Sequence, residues 1–428
     1  MLLSPAALLS AVAALASLAA ATPAPAAPAA ARRWLNFGYG LSEKVRGVNL
    51  GGWLVLEPYI TPSLFQQFPD GQGPVDEYHF CQTLGKQACS DQLTAHWSTW
   101  FTADDFLQMS AAGLNHARLP VGYWAFALLD NDPYVQGQIP YLEQALQWAR
   151  QANIKIWIDI HGLPGSQNGF DNSGLRDSVS WTSDDLNYEF SKSVLATAIA
   201  TYSAPEWNDV VVAIQPVNEP LASNGFVDIN KVKEFYNYGY DVLRNDGQSD
   251  IVLAIHDAFM GMPYWNGYMS YPDYYNVILD HHSYQVFSQG ELQYSMDQHI
   301  ATACQDGANA RASSLWVVVG EWSAALTDCA LWLNGYGRGS RYQDGYDNSQ
   351  YIGSCDGKSD ISTWSDVDKA NTRRYVEAQL DAYEQGLGWM FWCWKTEGAA
   401  EWDFQRLLGA GLMPQPLDSR TYRNQCGY

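Results

Sequence analysis

Two glutamates stand at the ends of apolar runs. Glu219 closes "VVVAIQPVNEP" (Val210–Pro220) and Glu321 closes "VVVGEWS" (Val317–Ser323). A carboxyl at the end of a core strand is costly unless it is paired or neutralised. Two of them facing one cleft are the equipment for cleaving a glycosidic bond. One carboxyl, protonated, donates to the leaving oxygen, and the other, ionised, attacks the anomeric carbon. Their surroundings must therefore push the two pKa values apart. Asn218, beside Glu219, suits a sugar 2-hydroxyl. The bland alternative is a pair of buried carboxylates salt-bridged to Arg118 and Lys395.

These residues need a scaffold that brings distant positions together. Short apolar runs predict strands at Val45–Leu50, Asn115–Leu119, Lys155–Ile160, Val210–Val217, Ile251–His256, Asn276–His282, Trp316–Gly320 and Gly388–Trp394. Amphipathic stretches predict helices between them, among others at Tyr141–Ala152, Leu186–Tyr202, Ile229–Asn245 and Asp366–Gln385. Eight strands, each with room for a helix, spell an α/β fold of the (β/α)8 barrel type in a single domain. An open doubly wound sheet is the competitor, but "GVNLGG" (Gly47–Gly52) is not its GxGxxG turn. In a barrel the C-terminal ends of all strands open onto one face, where active sites lie. Here those ends carry Asn49, Arg118, His161, Asn218 with Glu219, His256 with Asp257, His282 with Tyr284, Glu321, and Trp392–Lys395. One difficulty remains: Asn218 and Glu219 are neighbours, and neighbours on a regular strand face opposite ways. If both serve one ligand, the chain must twist or bulge there.

Composition narrows the partners. The 428 residues include 18 Trp and 26 Tyr, and the formal net charge is −22. That charge disfavours nucleic acid and anionic membranes, and leaves a neutral ligand unaffected. Indole faces stack on sugar rings, although most of these aromatics are expected in the core. Residues 1–21 predict a signal peptide, cut near Ala21, and residues 22–33 a Pro/Ala pro-segment ending at Arg32-Arg33. Residues 34–428 would be the catalytic domain, secreted to the medium or cell wall and free of the membrane after processing. A membrane anchor is the competing reading of the leader, but its apolar stretch is short and alanine-rich for a span. No Asn-x-Ser/Thr sequon occurs.

A metal site is the rival chemistry. His161, His256, His281, His282 and Asp257 all fall near strand ends, yet no HExxH or His-x-His is present. Strand alternation also sends His281 and His282 to opposite faces. No metal and no other cofactor is expected. A Ser/His/Asp triad lacks its GxSxG flag. The seven cysteines (Cys81, Cys89, Cys304, Cys329, Cys355, Cys393 and Cys426) should mostly pair in a secreted chain. Their spacing leaves the pairing open, with Cys393 in "WMFWCWK" the candidate free thiol.

The stretches "RGVNLGGWLVLEPYITPSLF", "WIDIHGLPGSQNGFDNSG", "NEP", "HHSYQVFSQGEL", "VVVGEWSAALTDCA" and "FWCWKTE" resemble the fungal secreted exo-β-1,3-glucanases of glycoside hydrolase family 5. The likeness runs from about Lys44 to Tyr428. It implies a (β/α)8 barrel, a retaining double displacement, no cofactor, a monomer, and a β-1,3-glucan substrate cut from its non-reducing ends, with transfer to sugar acceptors at high substrate. By position Glu219 resembles the acid/base and Glu321 the nucleophile. Arg118, His161, Asn218, His282 and Tyr284 match the residues around them, with Arg118 holding Glu321 ionised and Tyr284 donating to it. Trp392 resembles the floor of the −1 sugar subsite, with a cis bond to Cys393. Phe170 and Phe287 match the pair clamping the +1 glucose, and Glu57, Asp171 and Asn172 match pocket-lining residues. The likeness also implies disulfides Cys304–Cys426 and Cys329–Cys355. Cys81 and Cys89 depart from the pattern and are expected to bond locally. A β-1,6-glucanase, a β-glucosidase, or a non-catalytic wall-glucan-binding protein are the alternatives.

Overall fold

The computed structural model describes residues 43–69 and 71–428. The expected signal peptide and pro-segment lie outside the described residues, as does the start of the expected catalytic domain. Eight parallel strands close in sequence order into a barrel: β1 (Val45–Asn49), β2 (His116–Gly122), β3 (Lys155–Gly162), β4 (Val211–Gln215), β5 (Val252–His256), β6 (Val277–Ser283), β7 (Trp316–Trp322) and β8 (Gly388–Phe391). The expected (β/α)8 fold is the observed one. Around the barrel run α1 (Pro62–Gln66), α2 (Glu77–Leu84), α3 (Lys86–Trp100), α4 (Ala103–Ala111), α5 (Gln138–Ala152), α6 (Asp185–Tyr202), α7 (Ile229–Asp241), α8 (Met296–Ala312), α9 (Asp366–Tyr383) and α10 (Phe404–Gly409). Among the described residues no helix is long and apolar enough to cross a membrane.

Two features depart from the sequence expectation. Eight strand–helix units were expected, but no α-helix joins β5 to β6. Residues 257–276 cross that wall with a single 3-10 turn, Met262–Trp265. Aromatics fill the space a helix would occupy: Trp265 is fully buried against Tyr236 of α7, and Lys233 lies 4.5 Å over the Tyr264 ring. The second departure is α7, which ends at Asp241 rather than Asn245 and passes into a π turn, Val242–Asp246.

The barrel interior explains which residues reach the pocket. Val45, Trp157, Ala213, Val252, Ala254, Ile278, Val318 and Met390 form its apolar plug. Two residues further along, alternation turns Asp159, Gln215, His256, Asp280 and Trp392 inward, and His161 and His282 follow in the next layer. By that count β7 should present Gly320 and hide Glu321. The register shows how it does not. His281 pairs with Val319 and His282 with Glu321, so Gly320 is an extra residue. A one-residue bulge flips every later side chain to the other face, and it brings Glu321 into the pocket. Only glycine fits there, because a Cβ on Gly320 would lie 2.0 Å from Asp280 Oδ1.

Three disulfides are present: Cys81–Cys89, Cys304–Cys426 and Cys329–Cys355, with Cys393 free and buried. Cys304–Cys426 spans 122 positions and ties the C-terminal tail to α8. Closing a loop of that size contributes roughly 4–5 kcal/mol in chain-entropy accounts. Disulfides of this kind belong to oxidising, extracellular environments.

Candidate active site

The neighbouring pair Asn218–Glu219 does not sit on a regular strand. β4 stops at Gln215, before Pro216, and Glu219 takes a left-handed backbone with φ of 47°. That turn lets two adjacent side chains serve one site, Glu219 at the cavity and Asn218 behind it against Arg118. The turn is held from β3 and its loop. Ile160 O accepts from the Asn218 amide at 3.1 Å, and Gln167 Nε2 donates to the carbonyls of His161 (2.8 Å) and Asn218 (2.9 Å). Gln167 was not singled out from sequence, although it lies inside the quoted "HGLPGSQNG".

Arg118 is fully buried and is the hub of the site. It donates to Glu321 Oε1 at 2.7 Å, Asn49 Oδ1 at 3.0 Å, Asn218 Oδ1 at 2.6 Å and Gln215 Oε1 at 2.9 Å, and pairs with Asp159 at 3.0 Å. The Arg118 contact turns the Asn218 carbonyl inward and leaves its Nδ2 with no partner among the described residues. Asn218 can therefore only donate to a ligand. Tyr284 donates to Glu321 Oε2 at 2.9 Å. His282 stands between the two glutamates, with Nδ1 2.7 Å from Glu219 Oε1 and 3.4 Å from Glu321 Oε2, and Nε2 3.0 Å from Asp280. Asn172 donates to Glu219 Oε2 at 3.2 Å.

His161 touches neither glutamate. It pairs with Asp159 at 2.5 Å and stacks parallel to Trp392, centroids 5.5 Å apart. Trp392 also donates its indole N–H to the Tyr59 hydroxyl, and its bond to Cys393 is cis. Lys395, a suggested partner of the carboxylates, lies elsewhere: it pairs with Asp105 at 2.8 Å. Alternation also separates His281 from His282, as expected. His281 pairs with Asp257 at 2.7 Å, outside the pocket.

A cavity of about 400 Å³ joins Glu57, Asp171, Asn172, Glu219, Tyr284, Glu321 and Trp392, with Phe170 and Phe287 at 40% and 41% exposure. It is within the size range of small-molecule sites. Tyr59, Phe259, Trp402 and six residues of the β7–α9 connection (Leu333, Asn334, Gly335, Arg338, Arg341 and Tyr346) also line it and were missed from sequence. Tyr59 lies two residues past Glu57 in "EPYI"; the connection carries no local signal. Glu57 Oε1, Asp171 Oδ2, Asn172 Oδ1 and His161 Nε2 are buried without a partner among the described residues. Such atoms are costly unless a ligand or water satisfies them. The set suits a hydroxyl-rich ligand.

Electrostatics sort the carboxyls. Burial raises Glu57 well above its ordinary value, helped by Asp171 and Glu321, and burial takes Asp171 to about 7. Each can then donate a hydrogen bond to a sugar oxygen. Burial also pushes Glu219 up, but the His282 hydrogen bond and charge win and hold it at about 2. His282 itself is raised well above 6.5: the charges of Glu321 and Asp280 outweigh its burial. Burial leaves Glu321 above its ordinary value against the pull of His282 and Arg118.

Glu219, His256 and His282 form one group with metal-ligand atoms within 4.8 Å of one another. Their chemistry does not fit a cation. His256 Nδ1 accepts the Ala258 amide at 3.0 Å, so the proton of the neutral ring sits on Nε2 and no lone pair is left. Burial and His282 lower His256 to about 4, which keeps it neutral. His282 is itself the local cation. Dialysis against EDTA should leave hydrolysis unchanged, read as glucose released before and after; loss restored by a divalent ion would reverse this reading.

A parallel barrel that gathers two buried glutamates at its C-terminal strand ends, beside a polar cavity, is the layout of a glycoside hydrolase. The "Cellulase (glycosyl hydrolase family 5)" model matches residues 81–336, and the chain belongs to that family. It is 54% identical over 401 residues to a glucan 1,3-beta-glucosidase of Schwanniomyces occidentalis, covering 93% of each chain. It is 51% identical over 409 residues to glucan 1,3-beta-glucosidase I/II of Saccharomyces cerevisiae, covering 92% of this chain and 91% of that one. The fold also matches the rutinosidase from Aspergillus niger with a TM-score of 0.67 at 20% identity, covering 89% and 99% of the two chains.

Proposed function

We propose that this glycoside hydrolase releases glucose from the non-reducing ends of β-1,3-glucan with retention, by a two-glutamate double displacement. One observation carries the stereochemistry. A single nitrogen, His282 Nδ1, lies 2.7 Å from Glu219 and 3.4 Å from Glu321. Their nearest oxygens therefore cannot be more than about 6 Å apart, which suits the roughly 5–5.5 Å of retaining enzymes and not the roughly 6.5–9.5 Å of inverting ones. The relatives named above support the linkage.

Glu321 is the nucleophile. Both its oxygens face donors, and Arg118 can only donate, so the carboxylate is the form this pocket fits. Glu219 is the acid and then the base. In the free enzyme the proton it needs rests on His282, across a 2.7 Å hydrogen bond. When Glu321 attacks and loses its charge, His282 loses its largest stabilising partner. The proton then moves to Glu219 and on to the leaving oxygen. In the second step Glu219 deprotonates a water, or a sugar hydroxyl when transfer competes. Asn218 donates to the 2-hydroxyl, Trp392 floors the −1 sugar, and Phe170 and Phe287 clamp the +1 glucose. The chain acts as a secreted monomer on wall or external glucan.

The pH profile follows with its sign. Glu321 must be ionised and sits above its ordinary value, so kcat/KM should fall as pH drops through a point above 4.5. The proton shared by His282 and Glu219 must be present, so the alkaline limb should lie above 6.5. Initial rates across both limbs, from acid to alkaline buffer, would check them. Substrate choice is tested by glucose release from laminarin, pustulan and cellulose. Laminarin should be the preferred source. Glucose from pustulan alone would give the β-1,6 reading, and no glucose from laminarin would overturn the proposal.

A further inference from the structure

The connection from β7 to α9, residues 323–365, is a long excursion from the pocket end of the barrel, and it supplies Asn334, Arg338, Arg341 and Tyr346 to the cavity wall. It has almost no secondary structure of its own, only the 3-10 turn Ile361–Thr363. Long loops of this kind hold one shape only when internal bonds fix it. The fixing point is Asp328, which is 1% exposed. Its carboxylate accepts from Ser340 Oγ at 2.5 Å, the Arg341 amide at 2.7 Å, Asn334 Nδ2 at 2.9 Å and the Tyr342 amide at 3.0 Å, with the Arg341 guanidinium 3.6 Å away. The next residue, Cys329, is bonded to Cys355.

What Asp328 gathers is the pocket-facing side of the loop. Asn334 Oδ1 accepts from Arg341 Nη1 at 2.5 Å, and the Arg341 guanidinium lies 4.5 Å over the Tyr346 ring. The folded loop then reaches both ways across the mouth. Arg338 pairs with Asp177 at 2.8 Å, and Arg176 donates to Tyr336 O at 2.9 Å, on the β3 side that carries Phe170. Gln289 and Gln350 exchange two hydrogen bonds, at 2.8 and 3.2 Å, on the β6 side that carries Phe287. Asp328 makes no contact with Glu219 or Glu321.

We propose that Asp328 is a positioning residue for the acceptor side of the cavity: it folds the 323–365 connection so that Asn334, Arg341 and Tyr346 form one polar wall bridging the loops of Phe170 and Phe287, against which the leaving or accepting glucose unit is held. This rests on the glucan reading above. A glucose confined to the −1 site does not depend on the wall, and a sugar unit beyond that site does.

The test compares substrates that differ only on the acceptor side. In Asp328→Asn, two backbone amides and Asn334 lose the charged acceptor. The KM for laminaritriose should rise about tenfold, while kcat for 4-nitrophenyl β-glucoside stays within about twofold. The ratio of transfer to hydrolysis should fall several-fold. A double variant, Cys329→Ser with Cys355→Ser, should show the same split in weaker form, and it serves if Asp328→Asn fails to fold. Equal losses on both substrates would reduce Asp328 to a stability role, and an unchanged laminaritriose KM and transfer ratio would also overturn the proposal. Wild-type enzyme that leaves laminaritriose intact would count against the substrate reading alone; the same split would then be read on the disaccharide it does cleave.

Discussion

Glu321→Gln should abolish turnover while leaving the fold in place. The expected loss in kcat is on the order of 10⁴–10⁶, the range seen when a nucleophile is removed from a working site. No other described carboxylate is placed to take over. Asp159 and Asp280 are committed to Arg118 and His282, and Glu57 is driven toward its neutral form. The substitution is nearly isosteric. The introduced amide could keep its carbonyl toward Arg118 and turn its NH₂ to the Tyr284 hydroxyl, so few hydrogen bonds are lost. Arg118 also keeps its Asp159 partner at 3.0 Å. Stability should drop by only about 1–3 kcal/mol. Laminarin hydrolysis together with a thermal melt separates the two effects. Unchanged hydrolysis would remove Glu321 from the mechanism and reopen the non-catalytic, glucan-binding alternative.

Glu219→Gln should show a different pattern, because acid and base catalysis can be bypassed separately. Glucan cleavage should fall by about 10²–10⁴. An aryl glucoside with a good leaving group needs no proton in the first step, so its glycosyl-enzyme should form quickly and then stall. A burst of nitrophenol followed by a slow steady state is the expected trace. Azide, which needs no general base, should restore turnover and give β-glucosyl azide. His282 strengthens the contrast. Without the Glu219 carboxylate it loses one of three anionic neighbours, so its proton should come off at lower pH than in the wild type. Equal losses on both substrates with no azide rescue would contradict the assignment of Glu219.

Barrel architecture was legible because a parallel strand buried on both faces must be a short apolar run. The eight runs found that way are the eight strands. Polar residues at their ends stood out for the same energetic reason: Glu219, Tyr284, Glu321 and Trp392 line the cavity, and Arg118, Asn218 and His282 pack against its glutamates or one another. The count of strands did not carry the details that aim side chains. Glu219 reaches the pocket through a left-handed backbone after Pro216, and Glu321 through an extra Gly320 in β7. Only the first showed in the sequence, as the puzzle of two adjacent residues serving one ligand. The second required knowing which inner residue of β6 occupies the space of a missing Cβ. Lys395 misled because position past a strand end does not set direction; its ammonium pairs with Asp105 instead. Arg338, Arg341 and Tyr346 were invisible because the β7–α9 connection has no periodicity. Its shape is set by Asp328 and a disulfide, whose partners lie many residues apart.

Glu219 and Glu321 together should cleave a terminal β-1,3 bond through a covalent intermediate. Time-resolved proton NMR of laminaritriose hydrolysis tests it most directly, by recording the first anomer of glucose to appear before mutarotation. The β-anomer, released one unit at a time, is the predicted result. The α-anomer appearing first would mean inversion and would overturn the retaining assignment drawn from the position of His282 between the two glutamates.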